Sequence, residues 1–220
     1  MCFSASASFF TAAVTGAAGI AAVTRAHARE DMPLASIPLV FAVQQSLEGL
    51  LWLDFSARPD SSASTPLIYV FLAFAKVVWP VFIPLAVLLI EPDAARRRLL
   101  AWCSVAGAVT GAFFLWSLSV NPHTAVIEGR HIAYSSEPYL PMAIRILYIV
   151  ATCAAPLLSS HRAVRMLGMI VSAGSVVTYI FYWEAFTSVW CFFAAGGSGV
   201  IVFHFHQLRE FRRAQRSSAS

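Results

Sequence analysis

The sequence predicts an all-α fold: a bundle of seven transmembrane helices, with the N-terminus outside and the C-terminus inside. Three observations lead there. Of 220 residues, 59% are hydrophobic and 12% charged, against about 45–50% and about 25% in soluble domains. The mean hydropathy is +0.71. The basic residues also fall on alternate connections between apolar segments. This composition excludes a soluble globular enzyme, a disordered chain and a disulfide scaffold. It leaves no room for a separate soluble domain beside several spans.

A spanning helix needs about 20 mostly apolar residues. Seven segments approach that length: Ser8–Thr24, Pro33–Phe55, Leu67–Ile90, Leu99–Val120, Tyr139–Ser159, Leu167–Trp183 and Val189–Leu208. The first is rich in Ala, Ser and Thr. The breaks between segments carry charge or turn signals. Residues 1–208 are therefore expected to form one membrane domain, and 209–220 a basic, disordered cytoplasmic tail.

Lys and Arg set the orientation, because positive flanks stay in the cytoplasm. Arg25 and Arg29, Arg96–Arg98, Arg162 and Arg165, and Arg209, Arg212, Arg213 and Arg216 place eleven cations on alternate connections. Only Arg58 and Arg130 lie on the other side. The excess of basic residues is thus topological. No basic stripe interleaved with aromatics points to nucleic acid. The expected location is the inner membrane, crossed several times, with the lipid bilayer as partner. Ala26-His27-Ala28 has the form of a signal-peptide cleavage site, but no Lys or Arg precedes the first apolar run, as a signal peptide requires. The first span is kept.

Small residues recur at packing spacings: Gly107 with Gly111, Ala13 with Ala17 and Ala21, and the Gly196–Gly199 cluster. In lipid such residues permit close backbone contact. They are read as intramolecular packing. Length, span count and orientation also fit a parallel-repeat plan matching spans one to three with five to seven. The Pro-Gln dipeptide of PQ-loop proteins is absent.

Ionisable residues inside spans are costly and mark functional candidates. Glu48 lies six residues below Asp54 and Arg145 six below Tyr139, about 9 Å each, and Lys76 nine below Leu67, about 13 Å. The three are expected to converge in one slab of the outer leaflet. Gln44, Glu48 and Trp52 form an i, i+4, i+8 stripe, joined by Gln45. Lys76 sits four residues before Pro80, whose missing amide should free the Lys76 carbonyl and kink the helix. Tyr148 accompanies Arg145, and Trp79 would wall the pocket. One carboxylate against two cations leaves a positive surplus, closed by Glu184 at the end of span six or by a bound anion. A buried ion pair that only fixes helix register is the alternative.

Between spans four and five, β-branched residues flank Glu128-Gly129-Arg130, which reads as a short hairpin. It would bring His131 over the outer mouth. His204 and His206, two apart, face differently and lack the i, i+4 spacing of paired zinc ligands. No metal site is expected, and no cofactor can be named. Cys103 and Cys153 read as small apolar packers. Cys2 and Cys191 both map outside. Cys2 is inert, or bonded to Cys191, or a nucleophile or metal ligand.

Met1-Cys2-Phe3-Ser4-Ala5-Ser6-Ala7-Ser8-Phe9, with Gln44-Gln45-x-x-Glu48-Gly49-x-x-Trp52, resembles an uncharacterised bacterial family of polytopic membrane proteins. Its members begin Met-Cys-Phe-Ser-Ala and carry a Gln-x-x-Glu-Gly membrane helix. The resemblance implies a membrane location and a bacterial source, and no activity. The functional expectation is an outward-facing polar pocket for recognition or transport of a small anionic or amphipathic, lipid-like ligand. The competing readings are a membrane-embedded enzyme, with Cys2 or Ser4 as nucleophile and His131 as base, and a structural or assembly subunit.

Overall fold

The chain is described here from a computed structural model, which covers residues 4–57, 65–128, 131–134, 140–181 and 196–210. It is mostly helical, with seven helices and one small sheet among these residues. Helix α1 (Ala5–Val23) starts where the Ser4 hydroxyl accepts the Ala7 amide hydrogen at 3.2 Å. A 3-10 turn (Arg29–Asp31) leads into α2 (Met32–Ala57). Helix α3 runs in three pieces: Thr65–Ala73, a π-turn at Phe74–Val78, and Trp79–Ile90. Helix α4 (Ala94–Val120) begins at Asp93, whose carboxylate accepts the Arg96 amide hydrogen at 2.8 Å. Strands β1 (Ala125–Glu128) and β2 (His131–Tyr134) pair antiparallel, Ala125 opposite Tyr134 and Glu128 opposite His131. The expected hairpin is present in the expected place.

Helix α5 repeats the plan of α3, with Met142–Ile149, a π-turn at Val150–Ala154, and Ala155–Leu158. Helix α6 is Arg162–Phe181 and α7 spans residues 196–210. Among the described residues, four helical stretches are long and apolar enough to cross a membrane: Ala5–Val23, Arg29–Ala57, Pro66–Ile90 and Ala94–Val120. Met142–Leu158 is a shorter apolar one. Helix α4 starts five residues before the apolar segment because Asp93 caps it and Arg96–Arg98 are good helix formers. Hydropathy sees only the apolar part. Helix α5 starts later than expected, after Pro141.

The bundle has two ends. The hairpin end holds the start of α1, the end of α2 and the sheet. The basic end holds Arg25, Arg96–Arg98, Arg162 and Arg165. One apolar cluster, nearer the basic end, draws residues from all seven helices, from Ala22 and Phe41 to Val171 and Phe205. A second lies under the hairpin and joins Leu51, Trp52, Phe55, Phe71, Leu118 and Ile132. The surface of α4 is apolar too: Leu99, Trp102, Val105, Val109, Leu115 and Trp116 are exposed.

Glycine sets the closest helix contact. A Cβ on Gly107 would lie 1.9 Å from the Pro80 carbonyl oxygen, and one on Gly111 would lie 2.7 Å from Val81 Cγ2. These α4 glycines are spent on α3 of the same chain, as intramolecular packing requires. Gly196 and Gly199 meet nothing within 4 Å.

Candidate functional site

The α2 stripe occupies the level between the two apolar clusters. Gln44, Gln45 and Glu48 are at most 1% exposed, and Trp52 is buried at 8%. Gln45 donates from its amide nitrogen to the Glu48 carboxylate at 3.2 Å. Trp79 of α3, 1% exposed, donates its indole N–H to the Gln44 carboxamide oxygen and stacks on Phe41, ring centres 4.0 Å apart. Lys76 is half-buried, with its ammonium 5.6 Å from the centre of the Phe114 ring of α4. A cation over an aromatic face is stabilised by about 0.5–2 kcal/mol. Gln44, Gln45 and Glu48 are thus shut off from the surface, and Lys76 is the member of the layer that keeps partial exposure.

A proline and a π-turn together shape this layer. The π-turn shifts the hydrogen-bond ladder by one residue, and the Trp79 amide bonds to the Phe74 carbonyl. In that register Pro80 stands opposite Ala75 and offers it no hydrogen. The Ala75 carbonyl therefore has no helical donor. Tyr148 of α5 donates its hydroxyl to it at 2.8 Å. Tyr148 thus joins the layer as a brace between α5 and the broken turn of α3.

Arg145 does not join it. It lies three residues into α5 and is exposed. Measured from the helix ends, Glu48 and Lys76 are about 14 and 16 Å deep, while Arg145 is about 5 Å deep at 1.5 Å per residue. The three-charge slab reduces to Glu48 and Lys76. Counting from the apolar segment overestimated the depth of Arg145, because residues 140–141 precede the helix.

At the hairpin end, His131 is half-buried and its Nε2 has no hydrogen-bond partner among the described residues. His123 is 3% exposed with both ring nitrogens likewise unpartnered, edge-on to Tyr69. Ser4 is engaged in capping α1 and in a 3.1 Å contact with Ser6. No hydrogen bond among the described residues joins Ser4 to His131. Cys2, Glu184 and Cys191 lie outside the described residues. Cys103 and Cys153 are buried free thiols. Among the described residues no group of three His, Cys, Asp or Glu is placed to hold a metal ion.

The basic end carries a polar cluster that the sequence reading passed over. Glu91, 1% exposed, follows α3. Its carboxylate accepts the Ser160 amide at 2.8 Å, the Ser159 hydroxyl at 3.1 Å, the Ser160 hydroxyl, and the Asp93 amide at 3.3 Å. Burial pushes the Glu91 carboxyl up, but these hydrogen bonds together hold it below the ordinary carboxylate value. Arg96 and Arg165 both donate to the Ser159 carbonyl at 3.0 Å. His161 Nε2 donates to the Ile90 carbonyl at 3.0 Å, and its ring stands 5.4 Å from that of His204. His206 is exposed, so the two α7 histidines do face differently. The cluster locks the α3–α4 connection to the α5–α6 connection. The signal for it was a Glu beside Pro92-Asp93 facing a Ser-Ser-His turn, visible only once the two loops are known to meet.

Taken together, these features define a helical protein compatible with a membrane setting, folded round a layer of one buried carboxylate, two buried carboxamides and a half-buried lysine. The chain belongs to the family described as Family of unknown function (DUF6629), whose profile matches residues 1–218. No curated protein and no solved structure matches it.

Proposed function

We propose that this chain is a multi-pass protein of a bacterial inner membrane, hairpin end outside and basic end in the cytoplasm, that recognises or transports a small anionic or amphipathic ligand. Residues 1–208 form the membrane domain, and the basic tail lies in the cytoplasm. The observation that carries the reading is the polar layer. Glu48, Gln44 and Gln45 are buried on one helix face at the level of Lys76, between two apolar clusters. Ionisable groups at that depth are expensive and are retained for partners or ligands. The exposed apolar face of α4, including Trp102 and Trp116, supports a lipid surround. The eleven-to-two division of cations supports the orientation. In this reading Lys76 neutralises the ligand, Glu48 pairs with Lys76 or exchanges a proton, and Trp52, Trp79 and Tyr148 wall the site.

Native mass spectrometry of the protein released from its own membrane tests this. The expected result is a bound small-molecule mass in the wild type that is lost in Glu48→Gln and in Lys76→Met. All three proteins at the ligand-free masses of their own sequences, each folded by circular dichroism, would remove the ligand reading and leave a register-fixing structural layer.

A further inference from the structure

We propose that the bundle contains a proton path between Glu48 and the basic end, and that the indole of Trp79 is its gate. The inference rests on the reading of Glu48 as a protonatable member of the layer, and adds a route and a moving part.

Trp79 has two different sides. Its N–H reaches into the polar layer to Gln44, while its ring, stacked on Phe41, also lines a cavity. That cavity lies between α2, α3, α5 and α6, with Ile37, Thr152, Pro156 and Leu167 among its other walls. It measures about 20 Å³, enough for about one water molecule. Apart from Thr152 its lining is apolar, and an apolar cavity of this kind stays dry. A dry constriction blocks ions and protons until it wets. Trp79 and the space behind it therefore form an apolar barrier on the basic-end side of Gln44, the member of the polar layer that the indole N–H holds.

The backbone at the barrier is built to change. Trp79 is the first residue after the π-turn of α3. A π-turn holds one residue more than an α-helical turn, so relaxing it rotates a flank by about 100°. The Trp79 amide would exchange the Phe74 carbonyl for that of Ala75, the oxygen that Tyr148 now occupies. Release of Tyr148 and withdrawal of the indole from Gln44 are thus one event. The opposite wall has the same construction: the π-turn at Val150–Ala154 contains Thr152, the Ala155 amide bonds to Val150, and Pro156 follows. With the indole withdrawn, water enters the cavity. Water that follows the withdrawn indole as far as Gln44, one turn from Glu48, then takes the proton of the Glu48 carboxylic acid and passes it towards the basic end. The carboxylate is reprotonated from the hairpin side.

Proton flux in proteoliposomes loaded with pyranine, under a pH gradient with potassium and valinomycin to clamp the voltage, tests the proposal. The expected result is a Trp79→Ala flux at least about tenfold above wild type, equivalent to about 1.36 kcal/mol off the barrier. The Trp79→Ala/Glu48→Gln double variant returns to the wild-type rate. Trp102→Ala, on the exposed face, stays at the wild-type rate. If Trp79→Ala does not fold, Trp79→Leu is read in the same way. A Trp79 variant as tight as wild type, or a leak that persists without Glu48, overturns the path. No ligand is present in this assay, so absence of a bound mass in the native experiment and absence of gated flux are separate failures.

Discussion

Tyr148 shows what one side chain does when a helix is broken by design. A buried carbonyl without a donor costs about 1–3 kcal/mol, and Ala75 loses its donor because Pro80 stands opposite it in the π-register. Tyr148→Phe should lower stability by that amount in reversible unfolding in mixed micelles. Pro80→Ala restores an amide hydrogen at the right place, so the double variant should lose less than the two single losses combined. Strict additivity would mean that Tyr148 and Pro80 act on different groups. Glu91 makes a second residue-scale prediction. Its folded-state value lies below the ordinary one, so its contribution is fully present above the unfolded value, about pH 4.3. It is lost as pH falls through the folded value below that. Glu91→Gln should be less stable than wild type at neutral pH, and the gap should close as the solution is acidified. A gap constant with pH would mean that the carboxylate charge contributes nothing. Residue types were legible here and partners were not. The stripe of Gln44, Glu48 and Trp52 followed from helical spacing. The bonds Trp79–Gln44 and Tyr148–Ala75 join positions 35 and 73 residues apart, beyond any local pattern.

At the scale of elements, α3 and α4 meet through absent side chains. Gly107 leaves room for the Pro80 carbonyl, and a methyl group there would have to displace backbone. Gly107→Ala should therefore destabilise by about 1–3 kcal/mol, the usual cost of overpacking. Gly199→Ala, which meets nothing within 4 Å, should be neutral or stabilising by up to about 1 kcal/mol through helix propensity. Thermal unfolding in one detergent compares them, and equal effects would mean that α3 yields easily. Segment existence was legible because apolar runs of spanning length have few alternatives. Segment ends were less so: Asp93 extends α4 through three arginines, and residues 140–141 delay α5, which moved Arg145 out of the layer. The π-turns were invisible as such, since an inserted residue leaves an all-apolar segment all-apolar. Their prolines were visible, and the shared spacing in α3 and α5 relates those two helices. The three-plus-one-plus-three plan would instead pair α3 with α7.

At the scale of the whole molecule, the charge division and the helix count make one prediction together. An odd number of crossings places the two ends of the chain on opposite sides, and the cations decide which side is which. The structure gathers Arg25, Arg96–Arg98, Arg162 and Arg165 at one end and the hairpin at the other, so each end can be probed by a single exposed position. Pro122 lies beside the hairpin, and Ala95 lies beside the arginines; replacing either alters no charge. With the native cysteines changed to serine, Pro122→Cys should react with a membrane-impermeant maleimide in intact spheroplasts. Ala95→Cys should react only after the membrane is opened. The reverse labelling would invert the orientation, and the hairpin end would then face the cytoplasm. Labelling of both positions in intact spheroplasts would show an even number of crossings between sites that α4 separates by one. Such a result would contradict a transmembrane α4 itself, whose 27 residues extend about 40 Å at 1.5 Å per residue and exceed the hydrocarbon thickness of about 30 Å.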